Sequence, residues 1–235
     1  MARRRAAARH CLSRVQLAWN DDAVGLDSRL SFTVMTSGLY YLTAQGFGTT
    51  TGGYRLSMTQ TLTNVALTGT AANDILTAAA GADTIFGLAG HDVLSGLGGA
   101  DLLDGGSGHD QLNGDAGNDV LVGGAGRDEM TGGAGADTFR FLELADSVAD
   151  ANRDLIVDFN RSQSDRIDLS AIDANIDAVG DQAFAFIGGA AFGRVAGQLR
   201  FSAGIVQADV DGDGRADLEI AVRGVTSLLS SDFTL

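Results

Sequence analysis

Lysine and proline are absent from this 235-residue chain, cysteine occurs once, at Cys11, and histidine three times, at His10, His91 and His109. A single cysteine excludes an intramolecular disulfide, so any staple the fold needs is of another kind. All sixteen basic residues are arginine, a bias of genome composition rather than of site chemistry. Without proline the turns fall to other residues, and 33 glycines supply them. No apolar run approaches the ~18 residues of a transmembrane helix, which argues against stable membrane insertion. Met1–Arg14 carries Arg3, Arg4, Arg5, Arg9 and Arg14 but no hydrophobic stretch behind them. That excludes a conventional secretory signal and leaves a disordered tail or a misassigned start as readings of residues 1–26. Glutamate is scarce too: of 30 acidic residues only Glu129, Glu143 and Glu219 are glutamate. The formal net charge of −14 excludes the basic face that nucleic acid or an anionic membrane requires. The excess of aspartate favours a short carboxylate held close to its own turn.

What is present is a period. Asp74, Asp83, Asp92, Asp101, Asp110, Asp119, Asp128 and Asp137 recur every nine residues without a slip. Two residues after each stands a large apolar side chain: Leu76, Ile85, Leu94, Leu103, Leu112, Leu121, Met130 and Phe139. Glycines precede the aspartates, with Gly105, Gly106 and Gly108 before Asp110, and Gly114 and Gly117 before Asp119. Gly123, Gly124 and Gly126 precede Asp128, and Gly132, Gly133 and Gly135 precede Asp137. Glycine permits the positive φ of a tight turn, and one large residue flanked by small or polar ones reads as a short half-buried strand. The unit is turn plus strand, and eight copies in register make a solenoid.

These copies resemble the G-G-x-G-x-D-x-U-x nonapeptide of the repeats-in-toxin family, a calcium-binding β-helix repeat. In that family two repeats make one coil, so the resemblance implies two aspartate ladders, Asp74, Asp92, Asp110 and Asp128 on one edge and Asp83, Asp101, Asp119 and Asp137 on the other. Adjacent strands lie ~4.8 Å apart, where two bare carboxylates repel by roughly 1 kcal/mol in water and about 3 kcal/mol at an effective dielectric of 20. Calcium fits between them, because it takes six to eight oxygens from carboxylates and carbonyls alike. Thr70 and Ala72 in the first copy, and Ala78 and Ala79 in the second, replace turn glycines. Asp74 and Asp83 are therefore the weakest ligands of the series, and Leu88 and Leu97 in the next two copies are a milder departure.

Outside the repeats two further resemblances apply. Ser37-Gly38-Leu39-Tyr40-Tyr41 and Thr51-Gly52-Gly53-Tyr54-Arg55-Leu56 resemble the last strands of a bacterial pre-peptidase C-terminal domain, with strands read at Leu30–Val34, Leu39–Ala44 and Tyr54–Thr59. Ile156-Val157-Asp158-Phe159, Asp165-Arg166-Ile167-Asp168-Leu169-Ser170, Phe184-Ala185-Phe186-Ile187-Gly188 and Gly197-Gln198-Leu199-Arg200-Phe201 resemble the C-terminal domain of serralysin-type secreted metalloproteases, which caps the roll and continues its sheet. Asp209, Asp211, Asp213, Gly214 and Asp217 follow an EF-hand-like spacing, but Ile220 stands where the bidentate glutamate belongs. A lone calcium and a plain hairpin turn are equally compatible with that loop. The terminal Asp232-Phe233-Thr234-Leu235 resembles the uncleaved export signal of type I secreted proteases, so removing it is expected to abolish export and leave folding nearly intact.

The expected architecture is all-β: a 27–67 β-sandwich fragment, a calcium-bound parallel β-roll over 68–140 and a C-terminal β cap with its terminal signal over 141–235. Serralysins cut peptides with zinc held by H-E-x-x-H-x-x-G-x-x-H, and this sequence has no such motif. It has no nucleophile elbow or phosphate loop either, so no catalytic residues are assigned. His91 and His109 fill the variable position before a repeat aspartate; eighteen residues apart, they are placed to stack on the roll surface, and with no third ligand evident they read as solvated. Two functions remain. One is a non-catalytic secretion and folding module of a serralysin-like exoprotein that partners the type I secretion machinery, either cut from a longer parent chain with a protease domain or a stand-alone protein that has lost its catalytic part. The other is a calcium-stiffened spacer in an adhesion or surface protein.

Overall fold

The computed structural model describes residues 5–10, 16–21, 40–45, 64–149 and 151–235. The chain divides into two compact units, Met1–Gln60 and Thr61–Leu235. In the first unit, β1 (Arg5–His10), β2 (Gln16–Asp21) and β3 (Tyr40–Gln45) form an antiparallel sheet in the order β2-β1-β3. Residues 5–10 and 16–21 are strands. The central β1 has backbone partners on both sides, which satisfies the polar groups that a lone strand would leave to water. β3 overlaps the strand read at Leu39–Ala44, while those read at Leu30–Val34 and Tyr54–Thr59 lie outside the described residues.

The second unit follows the nonapeptide. Its first strands are β4 (Ala66–Thr68), β5 (Ile75–Thr77), β6 (Thr84–Phe86), β7 (Val93–Ser95), β8 (Leu102–Gly108), β9 (Gln111–Asn113), β10 (Val120–Gly126), β11 (Glu129–Thr131) and β12 (Thr138–Arg140). Successive strands fall alternately into two sheets, so each pairs in parallel with the strand two repeats on, as Leu94 does with Leu112 and Leu103 with Leu121. The large residue of each repeat points between the sheets. Ile85, Leu94, Leu103, Leu121, Met130 and Phe139 are fully buried there, with Leu112 beside them. Leu76, in the first coil, is only partly covered. One buried side chain per nine ordered residues falls short of the entropy of ordering them, so the turns must contribute stability of their own.

After Phe139 the period ends but both sheets continue. β12 pairs with β14 (Arg166–Asp168), and β14 with β19 (Phe233–Thr234), all in parallel. On the other side β11 pairs with β13 (Asp154–Ile156), and β13 with β18 (Leu218–Val222). β17 (Ile205–Asp209) and β16 (Gln198–Ser202) then add as an antiparallel meander, with the two-residue β15 (Ala185–Phe186) outermost. Seven strands form one sheet and nine the other. The cap buries Phe141, Leu169, Leu199, Val206, Leu218 and Ile220 as a continuation of the roll's core, and Phe159 packs on Phe139 with ring centroids 6.5 Å apart. No α-helix occurs among the described residues, and no helix there is long and apolar enough to cross a membrane.

Candidate metal centre: two aspartate ladders

Each turn folds because its glycines occupy space no side chain could share. Gly108 has φ +148°, and a Cβ on it would lie 1.5 Å from the Gly90 carbonyl oxygen of the preceding coil. Position by position this permits close stacking of coils. The second turn position is less strict: Leu88, Leu97 and Asp115 hold it with φ of 79°, 67° and 69°. Leucine in the left-handed region is strained. Asp115 offsets its own strain by accepting from Ser95 Oγ at 2.8 Å and Asn113 Nδ2 at 2.9 Å.

The aspartates line both edges as stacked ladders. One oxygen, Oδ1, of each accepts the backbone N–H of the aspartate eighteen residues earlier: Asp92 from Asp74, Asp110 from Asp92 and Asp128 from Asp110, all at 2.8 Å. On the other edge Asp101 accepts from Asp83, Asp119 from Asp101 and Asp137 from Asp119, at 2.7 to 3.0 Å. The second oxygen is different. Oδ2 of Asp92, Asp101, Asp110, Asp119, Asp128 and Asp137 is buried without any hydrogen-bond partner. It lies against the first turn glycine, where the carbonyl of the following coil also arrives: a Cβ on Gly105 would stand 2.6 Å from Asp110 Oδ2 and 2.7 Å from the Gly123 oxygen. Gly87, Gly96 and Gly114 repeat that convergence.

Burial raises five of these carboxyls. Asp119 and Asp128 are pushed up to about 7, first by desolvation and then by the charges of their ladder neighbours, against the lowering effect of the backbone N–H each accepts. Asp101, Asp110 and Asp137 move the same way for the same leading cause. A buried anionic oxygen with no partner is unfavourable unless a cation completes it. The donor set consists of carboxylate and carbonyl oxygen, hard ligands that suit calcium rather than a softer transition metal. The residues present therefore fit a calcium ion.

The first two copies depart from this pattern. Asp74 Oδ2 accepts from the Thr70 N–H at 2.6 Å and its hydroxyl at 2.9 Å, and Asp83 Oδ2 accepts from the Ala79 N–H at 3.0 Å. Those oxygens are already satisfied by their own turns.

The histidines stack on the roll surface, as their eighteen-residue spacing allows. They are exposed, yet His109 N–H donates to His91 Nδ1 at 2.8 Å and Arg127 N–H to His109 Nδ1 at 2.9 Å, with the rings stacked at 5.1 Å. They form an outer ladder on the solvent-exposed side of the turns. Both Nδ1 atoms act as acceptors, which puts the proton on Nε2 and leaves neither ring a free lone pair for a metal.

Four acidic residues at the end of the roll escaped the sequence reading. Asp154 Oδ1 accepts from Asp128 N–H at 2.8 Å and Asp165 Oδ1 from Asp137 N–H at 3.1 Å, so both ladders run one rung past the repeats. Asp158 takes the Gly132 and Gly133 N–H groups, each at 2.9 Å. Asp146 accepts the Leu142 and Glu143 N–H groups at 2.7 and 3.0 Å. The available signal was local: Asp154-Leu155-Ile156 and Asp165-Arg166-Ile167 keep the aspartate followed two residues later by a buried apolar side chain.

The β17–β18 loop brings oxygens of Asp209, Asp211 and Asp217 within 4.8 Å of one another. Asp213 is not in that group. Asp209 accepts from Gly212 and Gly214 N–H, and Asp217 from Val210 N–H, which are the bonds of a self-satisfied hairpin turn. At the terminus Asp232 is buried and paired bidentately with Arg161, and Phe233 is buried opposite Ile167. The last residues are therefore part of the sheet, which corrects the expectation that their removal leaves folding nearly intact.

Fold and turns together define a parallel β-roll with a cation-binding aspartate ladder on each edge. Residues 68–103 and 104–139 match the model of the RTX calcium-binding nonapeptide repeat, in four copies each, and the roll is built of these repeats. Among solved structures, the solution structure of the AlgE6R3 subunit of the Azotobacter vinelandii mannuronan C5-epimerase is 31% identical, covering 71% of this chain and 80% of that one, with a TM-score of 0.40. The AlgE6R2 subunit of the same enzyme is 30% identical over 71% of this chain and 90% of that one, with a TM-score of 0.38. No curated protein matches the chain.

Proposed function

We propose that this chain is the non-catalytic folding and export module of a protein secreted by a type I transporter, and that calcium outside the cell drives it to its folded state. The observation that carries the reading is the row of buried Oδ2 atoms without partners. In the absence of a cation these oppose the fold, and with one they hold the coils together. Binding free energy is then folding free energy. Extracellular calcium modules bind at about 10⁻⁴ to 10⁻³ M, so the roll stays open in a cytosol of low calcium and closes outside.

The serralysin-like phrases within 141–235 and the terminal Asp232-Phe233-Thr234-Leu235 support export through the type I machinery, with a protease domain in a longer parent chain as partner. Folding outside would oppose return of the chain through its channel. Neither ladder offers a group placed for catalysis: the carboxylates are committed to backbone and cation. Circular dichroism during a calcium titration tests the reading. We expect a disordered spectrum in excess chelator and a β spectrum at millimolar calcium; a full β spectrum in chelator would overturn it. In a host with the matching transporter, replacing residues 232–235 should abolish export, and unchanged export would remove the signal from the proposal.

A further inference from the structure

Residues 232–235 have two demands placed on them that conflict. As an address they must be free to meet a transporter, yet in the folded cap they are enclosed. The side chains of Asp232 and Phe233 are buried. The Asp232 carboxylate accepts from Arg161 Nε at 2.8 and 3.0 Å, from Arg161 Nη2 at 2.5 Å and from the Leu229 N–H at 2.7 Å. Burial acts to raise this carboxyl, but the Arg161 and Leu229 donors outweigh it and hold the group below its usual range. Arg161 is itself steadied by donating to the Ser227 carbonyl at 3.0 Å. Phe233 stands opposite Ile167 with its ring centroid 5.0 Å from that of Phe186, and the Leu169 N–H donates to the Thr234 carbonyl at 2.9 Å.

The side chains that could identify the segment are therefore already in use. β19 keeps an unpaired outer edge among the described residues, but backbone groups give affinity without sequence information, which side-chain pockets must supply. The cap also shows what satisfies this segment: a two-pronged guanidinium for the carboxylate, beside an apolar seat made by Ile167 and Phe186. A carboxylate that leaves such a partner for another dry surface needs a cation there too, because an unpaired buried charge is costly. The seat depends on the roll, since β14, which receives β19, pairs with β12 of the last repeat.

We propose that residues 232–235 exchange between two mutually exclusive seats, the Arg161 seat of the folded cap and a cationic, apolar-walled groove on the transporter, so that calcium-induced folding withdraws the address. The inference rests on the export reading above. An open chain inside the cell offers Asp232 and Phe233 to the transporter, and a chain folded outside no longer competes for it.

The test binds the purified full chain to membrane vesicles carrying the matching type I transporter, in chelator and in millimolar calcium. The wild type should bind in chelator and lose most of that binding in calcium. Arg161→Ala empties the seat without touching residues 232–235. It should fold in calcium by circular dichroism and still bind there, and carboxypeptidase should trim its last four residues severalfold faster than those of the wild type. If that variant does not fold, Arg161→Gln, which retains a donor for the Ser227 carbonyl, takes its place. The double exchange of Arg161→Asp with Asp232→Arg restores an ion pair in the cap, and should be protected from trimming in calcium but bind in neither condition. A folded Arg161 variant that is trimmed faster yet does not bind, or a double exchange that binds like the wild type in chelator, overturns the proposal. Wild-type binding in neither condition removes the export reading and this inference together, whereas equal wild-type binding in both removes this inference alone.

Discussion

At the scale of the residue, ladder aspartates and their neighbours do different work. Asp119→Ala removes both an acceptor for the Asp101 N–H and an oxygen of the cation line, so the calcium midpoint for folding should rise severalfold in a titration followed by circular dichroism. His109→Ala removes an acceptor from an exposed N–H that water can replace, and its effect on stability should stay within about 0.5 kcal/mol. Gly108→Ala places a Cβ where the Gly90 carbonyl stands and should destabilise the calcium-bound form by roughly 3 kcal/mol or more, since coils cannot separate locally. Leu88→Gly relieves a leucine at φ +79° whose side chain is half exposed, and urea unfolding should show a gain of up to about 1 kcal/mol. The aspartates and apolar residues of the repeats could be read from sequence because both obey one period. The hydrogen bonding of the outer histidines could not, because nothing in the identity of a residue before Asp92 or Asp110 says which nitrogen meets the next coil.

At the scale of the element, the cap continues the roll by strands whose spacing has slipped. Asp154 and Asp165 follow their ladder partners by 26 and 28 residues instead of eighteen, so a search by period ends at Asp137 although the sheets do not. Leu199–Phe201 and Leu218–Val222 lie in β16 and β18, strands that carry their own two-residue pattern in place of the nonapeptide period. What sequence could not supply was the pairing of β19 with β14, which joins segments far apart in the chain. That pairing has a measurable consequence. Asp232→Ala breaks an ion pair whose carboxylate is buried and whose Arg161 is partly exposed, and should lower stability by about 1 to 2 kcal/mol in urea unfolding.

At the scale of the whole molecule, protons and calcium compete for the same edges. The folded-state carboxyls of Asp119 and Asp128 are raised to about 7 and that of Asp165 to about 6, chiefly by burial. A raised carboxyl binds more protons folded than unfolded, so its contribution is fully present below the unfolded value of 3.8 and is lost as pH rises through the folded value. In chelator, β content should therefore increase on acidification from pH 8 to pH 4.5. With calcium present the dependence should weaken or reverse, since the ion requires ionised ligands. Circular dichroism at both conditions checks the sign, and a calcium-free chain that loses structure on acidification would contradict it.

The ladder bonds all run one way. Each coil's aspartate N–H is received by a carboxylate of the coil that follows, from Asp74 through Asp128 to Asp154 and from Asp83 through Asp137 to Asp165. The stack thus has a grain, like a zipper whose slider is fixed at the carboxyl end. Along the aspartate ladder a coil taken from the amino end frees only an acceptor, while one taken from the carboxyl end strips the acceptor from its predecessor's N–H; the strand bonds run the other way, with Val93 N–H donating to the Asp74 carbonyl and Gln111 N–H to that of Asp92. On the polarity of the aspartate ladder alone, closure is expected to spread from the cap backwards. Trimming through Ala82 should leave calcium-induced closure of the remaining coils intact, and trimming the same length from the cap should abolish it.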